Sequence, residues 1–171
     1  MGTLTVDNLN LKGAGSVSSV GRILQIVQTA KTDTFSTTST SFTDVTGFSA
    51  TITPSSTSSK VLVMVSSNSS TSGGNNAIMK LVRGSTDVFV GDDDGASREE
   101  ATAQTRVNDT NAALTLTFNF LDSPSTTSAT TYKLQYKVQA GTGTINQTQA
   151  DSNSATLART ASSIILVEVR G

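Results

Sequence analysis

Two segments late in the chain alternate apolar and polar residues with strict period two, and this limits the possible folds more than any other feature. Leu114, Leu116, Phe118 and Phe120 alternate with Thr115, Thr117 and Asn119. Tyr132, Leu134, Tyr136 and Val138 alternate with Lys133, Gln135 and Lys137. Successive side chains of a strand point to opposite faces, so each segment reads as a strand with one face on a core and one in water. A helix would space its apolar residues three and four apart instead. The connection DSPSTTSAT between the two is longer than a tight hairpin.

The remaining chain repeats the strand signal at intervals of about 8 to 20 residues. RILQIVQTA leads in, and GFSATITP places Phe48, Ala50 and Ile52 on one face before Pro54. Lys60 to Val65, KVLVMV, is apolar on both faces, which predicts a central strand covered on both sides. AIMKLVRG and TDVFVG predict a hairpin around Gly84-Ser85. The polar stretch from Gly91 to Asn111 reads as one long loop, and weak strands are expected around 144–149 and 156–159. The closing SSIILVEVRG sets Ile164 and Leu166 against Ile165, Val167 and Val169, again apolar on both sides. The first core strand and this last one are expected to pair centrally. Nine or ten strands and no long helix predict an all-β, antiparallel β-sandwich or jelly-roll-like body.

An extended N-terminal arm is expected to precede that body, with arm and linker over 1–16 and the sandwich over 17–171. In TLTVDNLNL, Leu4 and Val6 alternate with polar residues, Asp7-Asn8 interrupts, and Leu9 and Leu11 resume on the shifted phase. KGAGSVSS then reads as a small-residue linker. Val17, Val20, Leu24 and Val27 sit near helical spacing, although Gly21 and the β-branched residues oppose a helix there.

Composition narrows the chemistry. The chain has 171 residues, enough for one domain with a real core. Roughly a third of it is Ser or Thr and 35% is hydrophobic, which suits strands with long polar loops. Twelve Lys+Arg balance 13 Asp+Glu, so no basic footprint for nucleic acid exists. No apolar run reaches the length that spans a membrane, so no membrane partner is expected. The start MGTLTVDNLNLKGAGS lacks the basic and apolar regions of a secretory signal, so synthesis and assembly in a cytoplasm are expected. There is no cysteine and no histidine. Thiolate chemistry, disulfides and the usual neutral-pH acid/base are therefore excluded.

One acidic cluster stands out: Asp92, Asp93 and Asp94 before Gly95, with Glu99 and Glu100 nearby. Hard cations such as Ca²⁺ take several oxygen ligands, and a loop of carboxylates can supply them. Three consecutive aspartates do not match the spacing of a calcium loop, so a solvated loop tip is the favoured reading and no cofactor is expected. The same cluster is the one candidate carboxylate pair for glycoside hydrolysis, on an exposed loop poorly suited to holding a fixed separation. The sequons at Asn68, Asn108 and Asn146 are expected by chance in so Ser/Thr-rich a chain. Tyr132 and Tyr136 lie on the apolar face of their strand, so they read as core residues rather than a sugar-stacking platform.

The stretches TSFTDVTGFSATITPSSTSSKVLVMV, LVRGST, LDSPSTTSATTYKLQYKV and ASSIILVEV occur in this order and cover roughly Arg22 to Val169. Together they resemble a group of phage virion proteins of marine bacteria and cyanobacteria, structural or tail-fibre-like. TLTVDNLNLKG resembles a leader that such proteins share ahead of different bodies. Where comparable proteins carry a basic segment after the LVRGST motif, this chain has GDDDGASREEATAQTR. The resemblance implies a β-sandwich body that forms a homotrimer, and a virion-attachment segment at Leu4, Val6, Leu9 and Leu11. The leading expectation is an exterior virion protein, a capsid decoration or short fibre contacting other capsid or tail proteins. The second is a receptor-binding tip whose 91–111 and 69–76 loops touch host surface glycan. The third, a polysaccharide hydrolase, rests on the acidic cluster alone.

Overall fold

A computed structural model describes residues 21–171, so the arm residues Leu4, Val6, Leu9 and Leu11 lie outside the described residues. Eleven strands follow in chain order: β1 (Ile23–Lys31), β2 (Phe35–Thr37), β3 (Thr43–Ile52), β4 (Lys60–Thr71), β5 (Asn76–Arg83), β6 (Thr86–Val88), β7 (Ala103–Arg106), β8 (Leu114–Asp122), β9 (Thr130–Val138), β10 (Gly143–Ile145) and β11 (Ser162–Val169). A short 3-10 turn, Ser72–Gly74, joins β4 to β5. Among the described residues no helix is long and apolar enough to cross a membrane.

The strands form two antiparallel sheets. Sheet A runs β1-β11-β4-β10-β2 with β8 on the other side of β4, and sheet B runs β3-β9-β5-β6 with β7 also on β5. Several of these strands are halves of one another. β11 pairs with Lys60 to Ser66 of β4, while β10 pairs with Ser69 to Thr71 on the same side. β1 and β2 continue one another beside β11 and β10. β6 pairs with Leu81 to Arg83 of β5, and β7 with Asn76 to Met79. Counting each broken strand once leaves eight, ordered 1-8-3-6 in sheet A and 2-7-4-5 in sheet B. That order is a jelly roll. The all-β sandwich read from the sequence is therefore the fold.

The inner faces supply the core. Val61, Val63 and Val65 of β4, Ile164 and Leu166 of β11, and Tyr132, Leu134, Tyr136 and Val138 of β9 are all buried. Removing the bulk of one such side chain typically costs about 2–5 kcal/mol. Further along β4 the inward residues become Ser67, Ser69 and Thr71, so one end of the sandwich is apolar and the other lined with hydroxyls. Tyr136 is shared between them, its hydroxyl 2.8 Å from Ser69 Oγ, and burial pushes its pKa up to about 12. Gly143 lets β10 approach: a Cβ there would collide with the Tyr136 ring and Val138.

Buried polar side chains mark the points where strands break. Asn146, wholly buried in the left-handed region at φ 65°, ends β10. Its Nδ2 donates to the carbonyls of Lys31 (2.8 Å) and Asp33 (3.0 Å), where β1 gives way to β2, and its Oδ1 accepts from Ser162 Oγ (2.6 Å), where β11 begins. Buried Lys31 donates to Thr46 O (2.7 Å) inside the β3 bulge and pairs with Asp33 (2.9 Å). At the other end, Asp122 of β8 accepts from Arg83 (2.6 Å) and the Tyr132 hydroxyl (2.7 Å), which clasps the two sheets together. Burial and the Asp122 hydrogen bond drive the Tyr132 pKa well above its usual value.

The strand β1 over Leu24 and Val27 agrees with the reading against a helix there, while Val17 and Val20 lie outside the described residues. The structure corrects several expectations. Of the expected 144–149 strand only 144 and 145 pair, within β10, and 156–159 is irregular, because Asn146 turns the chain out of the sheet. The 91–111 segment is not one loop, since Ala103 to Arg106 completes the edge beside β5. KVLVMV is central, flanked by β11 and β8, yet within the described residues it is covered on one face only: Met64 is 38% exposed.

Candidate functional site

Four features of the body can meet a partner: the two outer sheet faces and two excursions, one between β6 and β7 at the edge of sheet B and one between β10 and β11 inside sheet A. The first excursion, 89–102, carries the acidic cluster. The chain leaves β6 through Phe89, itself in the left-handed region at φ 54°, and the Phe89 ring stacks on Phe120 with centroids 5.1 Å apart. Asp92, Asp93 and Asp94 are exposed at the tip. Asp93 Oδ1 accepts from the Gly95 backbone N–H (2.8 Å), and Asp94 accepts from Ala96 N–H (3.1 Å) and pairs with Arg98 (3.1 Å). Glu99 turns the other way and pairs with Lys137 on β9, while Glu100 is half-buried. Asp93, Asp94 and Glu99 thus turn to local backbone groups and to separate cations. Among the described residues no three acidic side chains converge as a metal cage would require.

The second excursion, 146–161, lies over part of the outer face of sheet A. Ser70 and Thr144 face outward there, yet both are fully buried beneath it. Thr144 Oγ1 donates to Gln147 O (2.9 Å), and Gln149 Nε2 donates to Thr142 O (3.2 Å). Arg159 holds Asp151 through two nitrogens, at 2.8 and 3.1 Å, and depresses its pKa. A shallow recess of about 260 Å³ lies between them, lined by Thr148, Asn153 and Leu157 among others. The Asn146 sequon sits at the root of this excursion with its amide fully bonded inside the fold.

The outer faces of the two sheets differ in chemistry. On sheet B, Lys133 pairs with Asp44 (2.7 Å), Lys80 with Asp87 (2.6 Å), and Lys137 with Glu99. Lys80 and Lys137 flank the Phe42 ring, 4.6 and 5.2 Å from its centroid. Lys133 and Gln135 both bond Asp44 and hold its carboxyl below the usual range. On sheet A the pairing register lines up Ile26, Val167, Leu62 and Leu121 across β1, β11, β4 and β8. Ile165 and Met64 extend that row one step along the strands. Ile26 is 62% exposed and Leu121 53%. Sequence reasoning placed function in the arm and the acidic loop and passed over this face, although KVLVMV and IILVEV, apolar on both sides, already carried its signal.

A buried carboxylate closes the end of sheet A. Glu168, 1% exposed, accepts from the Ser55 N–H (2.7 Å), Ser55 Oγ (2.6 Å), Ser59 Oγ (2.7 Å) and Gln25 Nε2 (2.6 Å). Burial alone would raise its pKa, but these donors outweigh it and hold the group at about 2. Beside it a recess of about 410 Å³ is lined by Leu24, Ser56, Ser58 and Arg170.

No protein-family model and no curated protein matches the chain. Among solved structures, the chain is similar to that of infectious bursal disease virus Gx strain, at 17% identity over 96% of this chain and 42% of that one, with a TM-score of 0.43. It is also similar to the T=1 particles derived from the same virus, at 16% identity, 98% and 41% coverage, and a TM-score of 0.45. The VP2 subviral particle of that virus matches at 16% identity, 98% and 42% coverage, with a TM-score of 0.36. The chain spans about two-fifths of the length of each.

Proposed function

We propose that the chain is a non-enzymatic structural protein on the exterior of a bacteriophage particle, a capsid decoration or short fibre. One observation carries the reading: the runs that resemble phage virion proteins fall on the framework of the jelly roll. TSFTDVTGFSATITPSSTSSKVLVMV forms β3 and the apolar half of β4, TYKLQYKV forms β9, and SSIILVEV forms β11. Similarity at these positions is similarity in the body itself, whereas the acidic excursion with GDDDGASREEATAQTR, on a loop of the kind where ligands are usually met, departs from those proteins. Anchorage belongs in this reading to Leu4, Val6, Leu9 and Leu11 of the arm, with three copies assembling against other virion proteins in the host bacterial cytoplasm.

Deletion of residues 1–16 tests the anchorage. Particles purified from cells supplying only the shortened chain should lack it, while the shortened chain itself stays soluble and folded. Retention of the shortened chain on particles would overturn the attachment role, and absence of the intact chain from purified particles would overturn the virion reading as a whole.

A further inference from the structure

We infer that the open half of sheet A's outer face is a self-association surface that seats a second copy of this chain. β4 and β11 are apolar on both faces, a pattern of strands buried on both sides. Their inner residues meet sheet B, but on the outer side Met64 is exposed and Leu62 and Ile165 are only half-buried. The chain does cover the other half of the same face, where the 146–161 excursion buries Ser70 and Thr144. Its own cover thus lies over hydroxyls, and the apolar half stays open.

The chemistry of the open half selects the occupant. The row Ile26–Val167–Leu62–Leu121 is apolar from edge to edge, with Ile26 and Leu121 exposed at its ends, Leu62 half-buried and Val167 buried between them, and the next row is Gln28–Ile165–Met64–Asn119. Among the described residues, the only charged side chain the paired strands place on this face is Lys60, at its margin, where it donates to Ser123 Oγ (2.6 Å). A nucleic acid or a charged peptide would find no matching set of counter-charges in these rows, whereas a copy of the same face meets them with equally neutral rows and brings only Lys60, at the margin, near its own mate. The row is also self-complementary. A two-fold axis along the strands, between β11 and β4, lays Ile26 over the copy's Leu121 and Val167 over the copy's Leu62, a self-matching arrangement of the kind a two-fold dimer requires. A groove of about 270 Å³ between Met64, Ser66, Thr117, Asn119 and Ile165 leaves room for a protruding side chain.

Size sets the strength. Four strands about 4.8 Å apart and six residues long present about 400 Å² per copy, so pairing removes about 800 Å². A standard interface removes about 1,600 Å², so this contact is concentration-dependent rather than permanent. It joins two copies; a three-fold ring would close through other surfaces. The inference stands on the face itself, independently of the virion reading.

The chain has no cysteine, which makes a clean test possible. Met64→Cys, near the proposed axis, should give a covalent dimer on mild oxidation in proportion to protein concentration. Lys133→Cys on sheet B should not. Sedimentation of the unmodified chain should show a mass rising towards two chains with concentration, and Ile26→Lys with Leu121→Lys should abolish that rise while leaving circular dichroism and the melting temperature unchanged. A single-chain mass at every concentration would overturn the inference, as would a dimer indifferent to the two lysines or Lys133→Cys cross-linking as readily as Met64→Cys. It would also be overturned if the thiol introduced by Met64→Cys resisted a small thiol reagent until residues 1–20 were removed, because the arm would then occupy the face.

Discussion

The two sheets share one core between their inner faces and differ on their outer ones. Sheet B turns Lys80, Lys133 and Lys137 outward, each matched to a carboxylate. Sheet A turns Ile26, Leu62, Met64 and Leu121 outward with Lys60 at the margin. Both sheets have the same width and the same jelly-roll role, so the difference is not a requirement of the fold. Ion pairs across a sheet keep a surface soluble and contribute little to stability. An apolar row on an outer face lowers solubility and often marks a surface that meets a partner. Sheet B faces water, and sheet A is prepared to leave it.

The largest expected effect tests whether the two sides of β4 differ in cover. Val63→Asp puts an unpaired charge into the core and should destabilise the protein by more than about 4 kcal/mol, whereas Met64→Asp, one residue on, should cost under about 1 kcal/mol. Chemical unfolding of both variants at low concentration measures it. Similar losses for the two would mean that Met64 already lies under cover within one chain.

A second test contrasts the buried carboxylate of sheet A with the exposed ones of sheet B. Glu168 is held at about 2 against an ordinary 4.5. A carboxylate whose folded pKa is depressed adds stability above its unfolded pKa and loses it as pH falls through its folded pKa. The intact protein should therefore lose stability relative to Glu168→Gln as pH is lowered from 4.5 towards 2, and thermal melts across that range read the difference directly. A pH-independent difference would mean that the four donors do not hold the ionised form.

The smallest effect is expected on sheet B. Lys133→Met removes the Asp44 ion pair from a solvated face and should change stability by less than about 1 kcal/mol, an effect that fades in high salt. A larger, salt-resistant loss would mean that sheet B's outer face is also buried against something, and the contrast between the two faces would disappear.

Much of the fold was legible because period two survives in any one-side-buried strand. β8 and β9 could be read from alternation, Phe48, Ala50 and Ile52 from one face of β3, and the hairpin turn from Gly84, whose φ of 60° suits the tight reversal. β7 was not legible, since Ala103 and Thr105 are its whole inward face and lie among polar residues. The break of β10 at Asn146 was also hidden. It depends on Asn146 reaching Lys31, Asp33 and Ser162, residues up to 115 positions away.

By itself, then, the sequence determined that the chain is an antiparallel sandwich, which side of each regular strand faces the core, and that cysteine and histidine chemistry is closed to it. These follow from residue types and near-neighbour spacing, which act locally. Only the tertiary structure decided which strands share a sheet, and so which outward residues meet. Ile26 and Leu121 are far apart in sequence and become the two ends of one apolar row only because β11 and β4 are inserted between their strands. Pairing order is a long-range choice made by the closing of the whole barrel-like sandwich, and no local pattern encodes it.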